Sequence, residues 1–382
     1  MSSTAGRHRR TRTLSLAGTT AAALGVAGYL ALPSHDARAS SATVVVSSTA
    51  ALESAVRDAR AGTVIQVRGG TYYPADTLKS SADGTASSRI TLSPYGSEKV
   101  KIDGSKLPAG SWLAAIQGDY WTVSGMQFQR SPAHGVVVTS SSGGIFRNLT
   151  TNDNGDSGFT LRGENCNDNL IANLDSYGNY DPAHHGQNAD GLAVKFGSGS
   201  GNKVTGARLF HNADDGMDLW QWASAVTVEH SWAYGNGKNR WSDPAFEGNG
   251  NGFKLGGGGA TAAHLVNNNA TWDNASHGFT ENSNTGAIAV NRNTAYRNAD
   301  TGFYFATGRA RLAANLAVGG AAEAKLGGST VSARNNWDPG IPIPAVNESG
   351  AASAQGARKT DGSLPATDFL RVSGGGIGST MD

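Results

Sequence analysis

The feature that most constrains this chain is a glycine followed by an apolar residue, returning at the interval of one solenoid coil. It occurs at Gly135-Val136, Gly158-Phe159, Gly191-Leu192, Gly216-Met217, Gly252-Phe253, Gly278-Phe279 and Gly302-Phe303. The successive spacings are 23, 33, 25, 36, 26 and 24 residues. Four of the six lie near 24, and two carry about ten residues more. A repeat of this length marks units that bury their apolar faces only by stacking on one another.

A second marker locates the extra residues. Asn154, Asn212, Asn274 and Asn298 each stand four residues before the repeat glycine. In the two long units the matching residues are Asn179 and Asn236, so the insertions fall near 180–189 and 237–250. Stacked at a bend, each amide can bond the amides of the coils above and below, so these asparagines read as structural. Insertions in a solenoid emerge as loops, often on the binding face.

Counting from the glycine, the first and third following residues are mostly apolar: Phe159 and Leu161, Leu192 and Val194, Met217 and Leu219, Phe253 and Leu255. In a strand they point inward, and the second and fourth point outward. Glu281 breaks this pattern, so the strand in its coil is expected to end early. The high glycine content (52 residues) and low charged fraction (16%) suit a turn-rich all-β chain. The fold class expected is a single-stranded parallel β-helix over residues 40–382. Before the repeats, Leu52, Ala55, Val56 and Ala59 have helical spacing, with Thr49 as N-cap and Gly62 past the end. This predicts a helix over 49–60 that plugs one end of the core. Alternating pairs at Ile65 and Val67, Ile90 and Leu92, and Val100 and Ile102 predict short strands through 63–130. Residues 335–382, rich in Pro, Gly and Ser, read as an irregular tail packed on the solenoid.

At the N-terminus, Arg7, Arg9, Arg10 and Arg12 precede an uncharged run from Thr13 to Pro33 and a small-x-small site at Ala37-Arg38-Ala39. Residues 1–39 are therefore expected to be a signal peptide, with Arg9-Arg10 hinting at twin-arginine export, and the mature protein to be secreted and free of the membrane. Removal takes five of the 31 basic and one of the 30 acidic residues, leaving 26 and 29. No basic stripe remains to hold nucleic acid. The lone Cys166 has no disulfide partner and reads as a small buried residue.

The repeat brings distant charges together. Asp218 and Lys254 share the outward second position of adjacent coils, and Asp190 and Asp215 share the position before the glycine. With Asp214 beside them, four carboxylates and a lysine fall on one wall. Hard oxygen ligands without His or Cys suit Ca²⁺ far better than zinc. Asp is common in turns for its own hydrogen bonds, but like charges on adjacent coils repel unless a cation is shared. Lys254, flanked by Gly250, Gly252 and Gly256 to Gly259, reads as having open space around it and as a candidate general base.

The segments Asn188-Ala189-Asp190-Gly191, His211-Asn212-Ala213-Asp214-Asp215-Gly216-Met217-Asp218-Leu219 and Gly250-Asn251-Gly252-Phe253-Lys254-Leu255-Gly256-Gly257, in this order, resemble polysaccharide lyase family 9 pectate lyases. The resemblance covers most of 41–382. It implies a secreted right-handed parallel β-helix that cleaves polygalacturonate, the backbone of pectin, by β-elimination, here as a monomer. It implies calcium at Asp190, Asp214, Asp215 and Asp218, and Lys254 as the base that removes the C5 proton. Lys195, outward on the Asp190 coil, is the candidate for a second substrate carboxylate, and Trp220, Arg240 and Trp241 are candidates for sugar contacts. His184 and His185 read as a solvated loop. Rival readings are a polygalacturonase-like hydrolase built on the paired acids, a lyase for another uronate polymer such as alginate, and a non-catalytic polysaccharide-binding β-helix.

Overall fold

The structure, a computed structural model, describes residues 42–374 and 376–382. The signal peptide expected over residues 1–39 lies outside the described residues. No helix among those described is long and apolar enough to cross a membrane. Strands of two to six residues alternate with tight turns along most of the chain. They fall into three sheets, one of twelve strands and two of ten, and each strand pairs in parallel with the strands one coil before and after. This is a parallel β-helix, as the repeat requires.

The register follows the repeat. Val136, Phe159, Leu192, Met217, Phe253, Phe279 and Phe303 are successive partners down one ten-stranded sheet, hereafter the site sheet. All seven are buried in the central core, as are Leu161, Val194, Leu219 and Leu255. The rings of Phe253, Phe279 and Phe303 stack at 5.0 and 4.9 Å. Each such buried side chain is worth about 1.5–3 kcal/mol of hydrophobic transfer, so the column is a large part of the core. Cys166 is buried in the same core.

Glu281 shows what happens when the inward position is charged. Its strand is only Phe279–Thr280, and the buried carboxylate turns to accept hydrogen bonds from Gly308 N at 3.0 Å and Thr307 Oγ1 at 2.7 Å. The asparagine column forms a continuous ladder. Each Nδ2 donates to the next Oδ1 from Asn154 through Asn179, Asn212, Asn236 and Asn274 to Asn298, at 2.8–3.0 Å. A second ladder through Asn269, Asn293, Asn315 and Asn335 had no glycine marker to reveal it.

The N-terminal helix runs Thr49–Arg57, three residues shorter than the spacing predicts, with Leu52 and Val56 buried. Ser48, not Thr49, is its N-cap, its hydroxyl accepting from Ala51 N at 3.2 Å, because Thr49 Oγ1 is taken by Tyr73 N. The chain then turns at Arg60, whose N–H bonds Thr63 Oγ1 at 3.0 Å. The strands expected near Ile65, Ile90 and Val100 are present as Val64–Val67, Ile90–Pro94 and Val100–Asp103.

From residue 335 the chain crosses the outer face of the other ten-stranded sheet. There Tyr177, Phe210, Tyr234 and Trp272 form an outward stack at 4.4–4.9 Å. Leu364, Phe369, Leu370 and Met381 pack on Trp232, Trp272 and Tyr296 in a second apolar cluster. Arg358 of this segment joins Arg208 on the carboxylate of Asp175, each at 2.7 Å. The outer wall of the site sheet is left for other uses.

Candidate active site

On that wall Ala193 pairs with Asp218, and Asp218 pairs with Lys254. One coil edge away, Gly191 N donates to Asp215 O at 3.0 Å, which aligns Asp190 and Asp215. The result is a group of four carboxylates, from Asp190, Asp214, Asp215 and Asp218, each offering an oxygen within 4.8 Å of the others. All four residues are buried.

Three of the four are anchored by hydrogen bonds, Asp214 and Asp215 through one oxygen and Asp190 through both, its Oδ1 accepting from Asp215 N at 3.4 Å. Asp214 Oδ1 accepts from Asn249 N and Nδ2, both at 2.7 Å. Asp215 Oδ1 accepts from Asn251 N and Nδ2, both at 2.8 Å. Asp190 Oδ2 accepts from Ser157 Oγ at 3.2 Å. Asn249 and Asn251 come from the end of the second insertion, so that loop aims the carboxylates. The Asn-Gly-Asn-Gly run was the only sign of this in the sequence.

Two lysines enter the cluster. Lys195 Nζ lies 2.7 Å from Asp190 and 2.8 Å from Asp218, and Lys254 Nζ lies 3.1 Å from Asp215 and 3.0 Å from Asp218. Their side chains are only 13% and 10% exposed. Four carboxylates against two ammonium groups leave two negative charges in a buried place, where an uncompensated charge is expensive. Asp215 Oδ2 and Asp218 Oδ2 meet only the lysines, and Asp218 Oδ1 has no hydrogen-bond partner. A divalent cation with oxygen preference answers both deficits, so the residues present fit calcium.

The proton affinities carry the same strain. Burial pushes Asp190 up to about 7, with Asp218 and Asp215 adding to the rise against the pull of Lys195. Burial and the neighbouring Asp215 raise Asp214 well above the carboxylate range. Burial disfavours the Lys254 ammonium, but Asp215 and Asp218 outweigh it and raise its pKa. Lys195 is raised in the same way, chiefly by Asp190 and Asp218.

The cluster floors a cleft of about 320 Å³, with Lys195, Phe196, Trp220 and Lys254 along it and Gln187, Asn188 and Asn249 reaching in from the insertions. Lys254 Nζ sits 5.4 Å from the centroid of the Trp220 ring. Of the glycines after Lys254, Gly256, Gly257 and Gly258 do not leave the open space expected, while Gly259 does. A Cβ on Gly257 would strike the Trp220 ring and one on Gly258 would strike Gln221, and both glycines have positive φ. They form a tight turn that lets Trp220 lie against backbone.

Arg240 and Trp241 are placed elsewhere and do not line this cleft. Trp241 stacks on Tyr180 at 4.6 Å, and the guanidinium of Arg240 bonds Gly235 O at 3.3 Å in its own turn. His184 and His185 are not simply solvated. His185 Nδ1 meets Asp243 Oδ2 at 2.9 Å, Tyr180 donates to the same oxygen at 2.7 Å, and His184 pairs with Asp181 at 2.6 Å. The two contacts to Asp243 clasp the insertions together, and the His184–Asp181 pair stays within the first. Lys195 lines the cleft with its ammonium on the carboxylates of Asp190 and Asp218. Phe196, missed in the sequence, lies between Lys195 and the turn with half its surface exposed.

Residues 31–315 match the model of the Pel9A-like right-handed β-helix region. This chain belongs to that family. It is 38% identical over 368 residues to pectate lyase PEL9 of Emericella nidulans, covering 87% of this chain and 89% of that one. Pectate lyase L of Dickeya chrysanthemi is 32% identical over 84% of this chain and 78% of its own length. The crystal structure of pectate lyase Pel9A superposes with a TM-score of 0.79 at 28% identity, covering 88% of this chain and 90% of that chain. The Pel9A-like membership gives the solenoid its right hand.

Proposed function

We propose that this chain is a secreted, calcium-dependent pectate lyase that cleaves polygalacturonate by β-elimination. The observation that carries the reading is the pairing of Asp218 with Lys254 on adjacent coils, which sets an amine at 3.0 Å from a carboxylate in an open cleft. Named pectate lyases among the relatives supply the substrate class.

Asp190, Asp214, Asp215 and Asp218 would hold the ion. Bound there, calcium supplies a Lewis acid for the uronate carboxylate, which acidifies the adjacent C5 proton, and a positive charge that offsets the field of the aspartates. Lys254 Nζ is the base. It must lose its own proton first, and the aspartates that hold it as an ammonium are the groups whose charge the ion offsets. The neutral amine then takes the C5 proton, the C4–O bond breaks, the departing oxygen takes a proton from water to become the hydroxyl of the new chain end, and the other product carries a 4,5 double bond. Trp220 gives a flat apolar wall beside the amine, suited to a sugar ring. Lys195 keeps Asp190 and Asp218 in place by balancing their charge.

A hydrolase reading fits less well. An inverting pair needs carboxyl groups about 6.5–9.5 Å apart with water between them. Here the acids converge within 4.8 Å and two ammonium groups fill the gap.

Secretion rests on the Arg-led apolar run at the N-terminus. The test of function is polygalacturonate incubated with the purified protein, with calcium or with excess chelator, followed by ultraviolet absorbance of unsaturated product. Absorbance that rises only with calcium is expected. Reducing ends without absorbance would move the chain to the hydrolases.

A further inference from the structure

A polyuronate lying on this wall carries a carboxylate on each unit, and Lys195 already pairs with Asp190 and Asp218. One coil earlier, Arg162 is the register partner of Lys195 on the same outer wall. Aligned strands lie about 4.8 Å apart, so the two cations begin from neighbouring points. Among the described residues no carboxylate pairs with the Arg162 guanidinium. Nearby acids are engaged elsewhere, Asp156 with His134 at 3.3 Å and Glu164 with Ser198 Oγ.

Two aromatic rings hold the guanidinium instead. Its carbon lies 5.8 Å from the Trp112 ring centroid and 5.8 Å from that of Phe196. Phe196 is an odd occupant of its position. The strand register shifts between Arg162 and Gly163, where Arg162 faces Lys195 and Gly163 faces Gly197, so Phe196 is the bulged residue. Its φ is 55°, in the left-handed region, where the adjoining coils use Ser140, Gly163 and Gln221. A bulky ring there costs strain, and this one stays 50% exposed, so core packing does not explain it. Bulges re-aim side chains and gather beside active sites. This bulge turns an aromatic face toward the guanidinium and the cleft.

We propose that Arg162, held between Trp112 and Phe196, binds the carboxylate of a uronate next to the one at the aspartate cluster. The polymer lies along the wall, and Arg162 sets its position and its preference for unesterified units. Guanidinium suits this task, with a planar donor fork that matches a carboxylate and a face that stacks on rings. The inference deepens the lyase reading and rests on it for the identity of the polymer.

The test uses the full protein as wild type, Arg162→Ala, Arg162→Lys and Phe196→Ala, with melting temperatures to confirm folding. Steady-state kinetics on polygalacturonate are paired with equilibrium binding, in chelator, to polygalacturonate and to its methyl-esterified form. Arg162→Ala is expected to raise KM about tenfold, the loss of one charge-assisted hydrogen bond, while kcat stays within about twofold. Arg162→Lys should fall between, Phe196→Ala should raise KM less, and Arg162→Ala should lose most of the binding preference for the unesterified polymer. A kcat loss at unchanged KM, or that preference intact in Arg162→Ala, would overturn the assignment. If the wild type gives no absorbing product, the lyase reading fails, and the binding preference alone still decides whether Arg162 reads a carboxylate.

Discussion

Asn154, Asn179, Asn212, Asn236, Asn274 and Asn298 form one polar column across the coils, and Asp190, Asp214, Asp215 and Asp218 form another a few residues further on. Both are buried. The asparagines are self-sufficient, since an amide both donates and accepts and each closes the gap to the next at 2.8–3.0 Å. Carboxylates only accept. They borrow donors from Asn249, Asn251 and Ser157, take two lysines into their midst, and still leave Asp218 Oδ1 without a hydrogen bond. A neutral column completes itself and holds coils together. A charged column stays incomplete until something binds, which is why the second is a site and the first is a scaffold.

The comparison breaks most visibly at Lys254. Replacing it with Ala removes the amine and leaves the aspartates, so kcat should fall by about 10²–10⁴, the usual worth of a positioned base. Calcium should still raise the melting temperature of this variant. Loss of both effects together would mean that Lys254 serves the fold.

A smaller effect concerns a buried base that is neutral by design. His264 Nδ1 accepts from Val226 N at 3.1 Å, and burial lowers the pKa of the ring to about 4. The unfolded chain takes up this proton near 6.5 and the folded one only near 4, so stability is full above the higher value and declines as pH falls between them. The expected decline is about 3 kcal/mol. Denaturant titrations of wild type and His264→Gln across this window should differ in slope, and parallel curves would exclude the ring as their cause.

The ladder itself should cost less and cost differently. Asn274→Ala strips bonds to Asn298, Thr271 and Ala233 O and takes from Asn236 the acceptor of its backbone N–H and of one Nδ2 hydrogen. A stability loss of about 2–3 kcal/mol is expected, with the calcium-induced rise in melting temperature unchanged. A change in that rise would show that the two columns are coupled.

What could be read in the sequence follows the same division. The glycine period and the parity of Phe159, Leu192, Met217 and Phe253 carry the coil, the core and the alignment of Asp218 with Lys254, because a solenoid turns sequence interval into position. Asn179 and Asn236 keep the place of the ladder asparagine in the two long units and so locate the insertions that follow them. Side-chain commitments were not legible. Lys195 occupies the outward position expected of it, but its partners depend on where the carboxylates converge. Trp241 and Arg240 lie in an insertion with no period, and their packing against Tyr180 and Gly235 is set by the loop. Phe196 was not legible because the bulge after Arg162 suspends the parity rule there, while Arg162 holds the same outward position as Lys195 but has no acidic neighbour in the repeat to mark it.

The most direct measurement is a calorimetric titration of calcium into the metal-free protein, run beside Asp218→Asn. The variant keeps the shape of the side chain and removes the charge that both lysines share. Saturable binding to the wild type, greatly weakened in the variant, is the predicted result. A wild type that cleaves polygalacturonate yet binds no calcium, or a variant that binds it equally well, would contradict the account of the aspartate column.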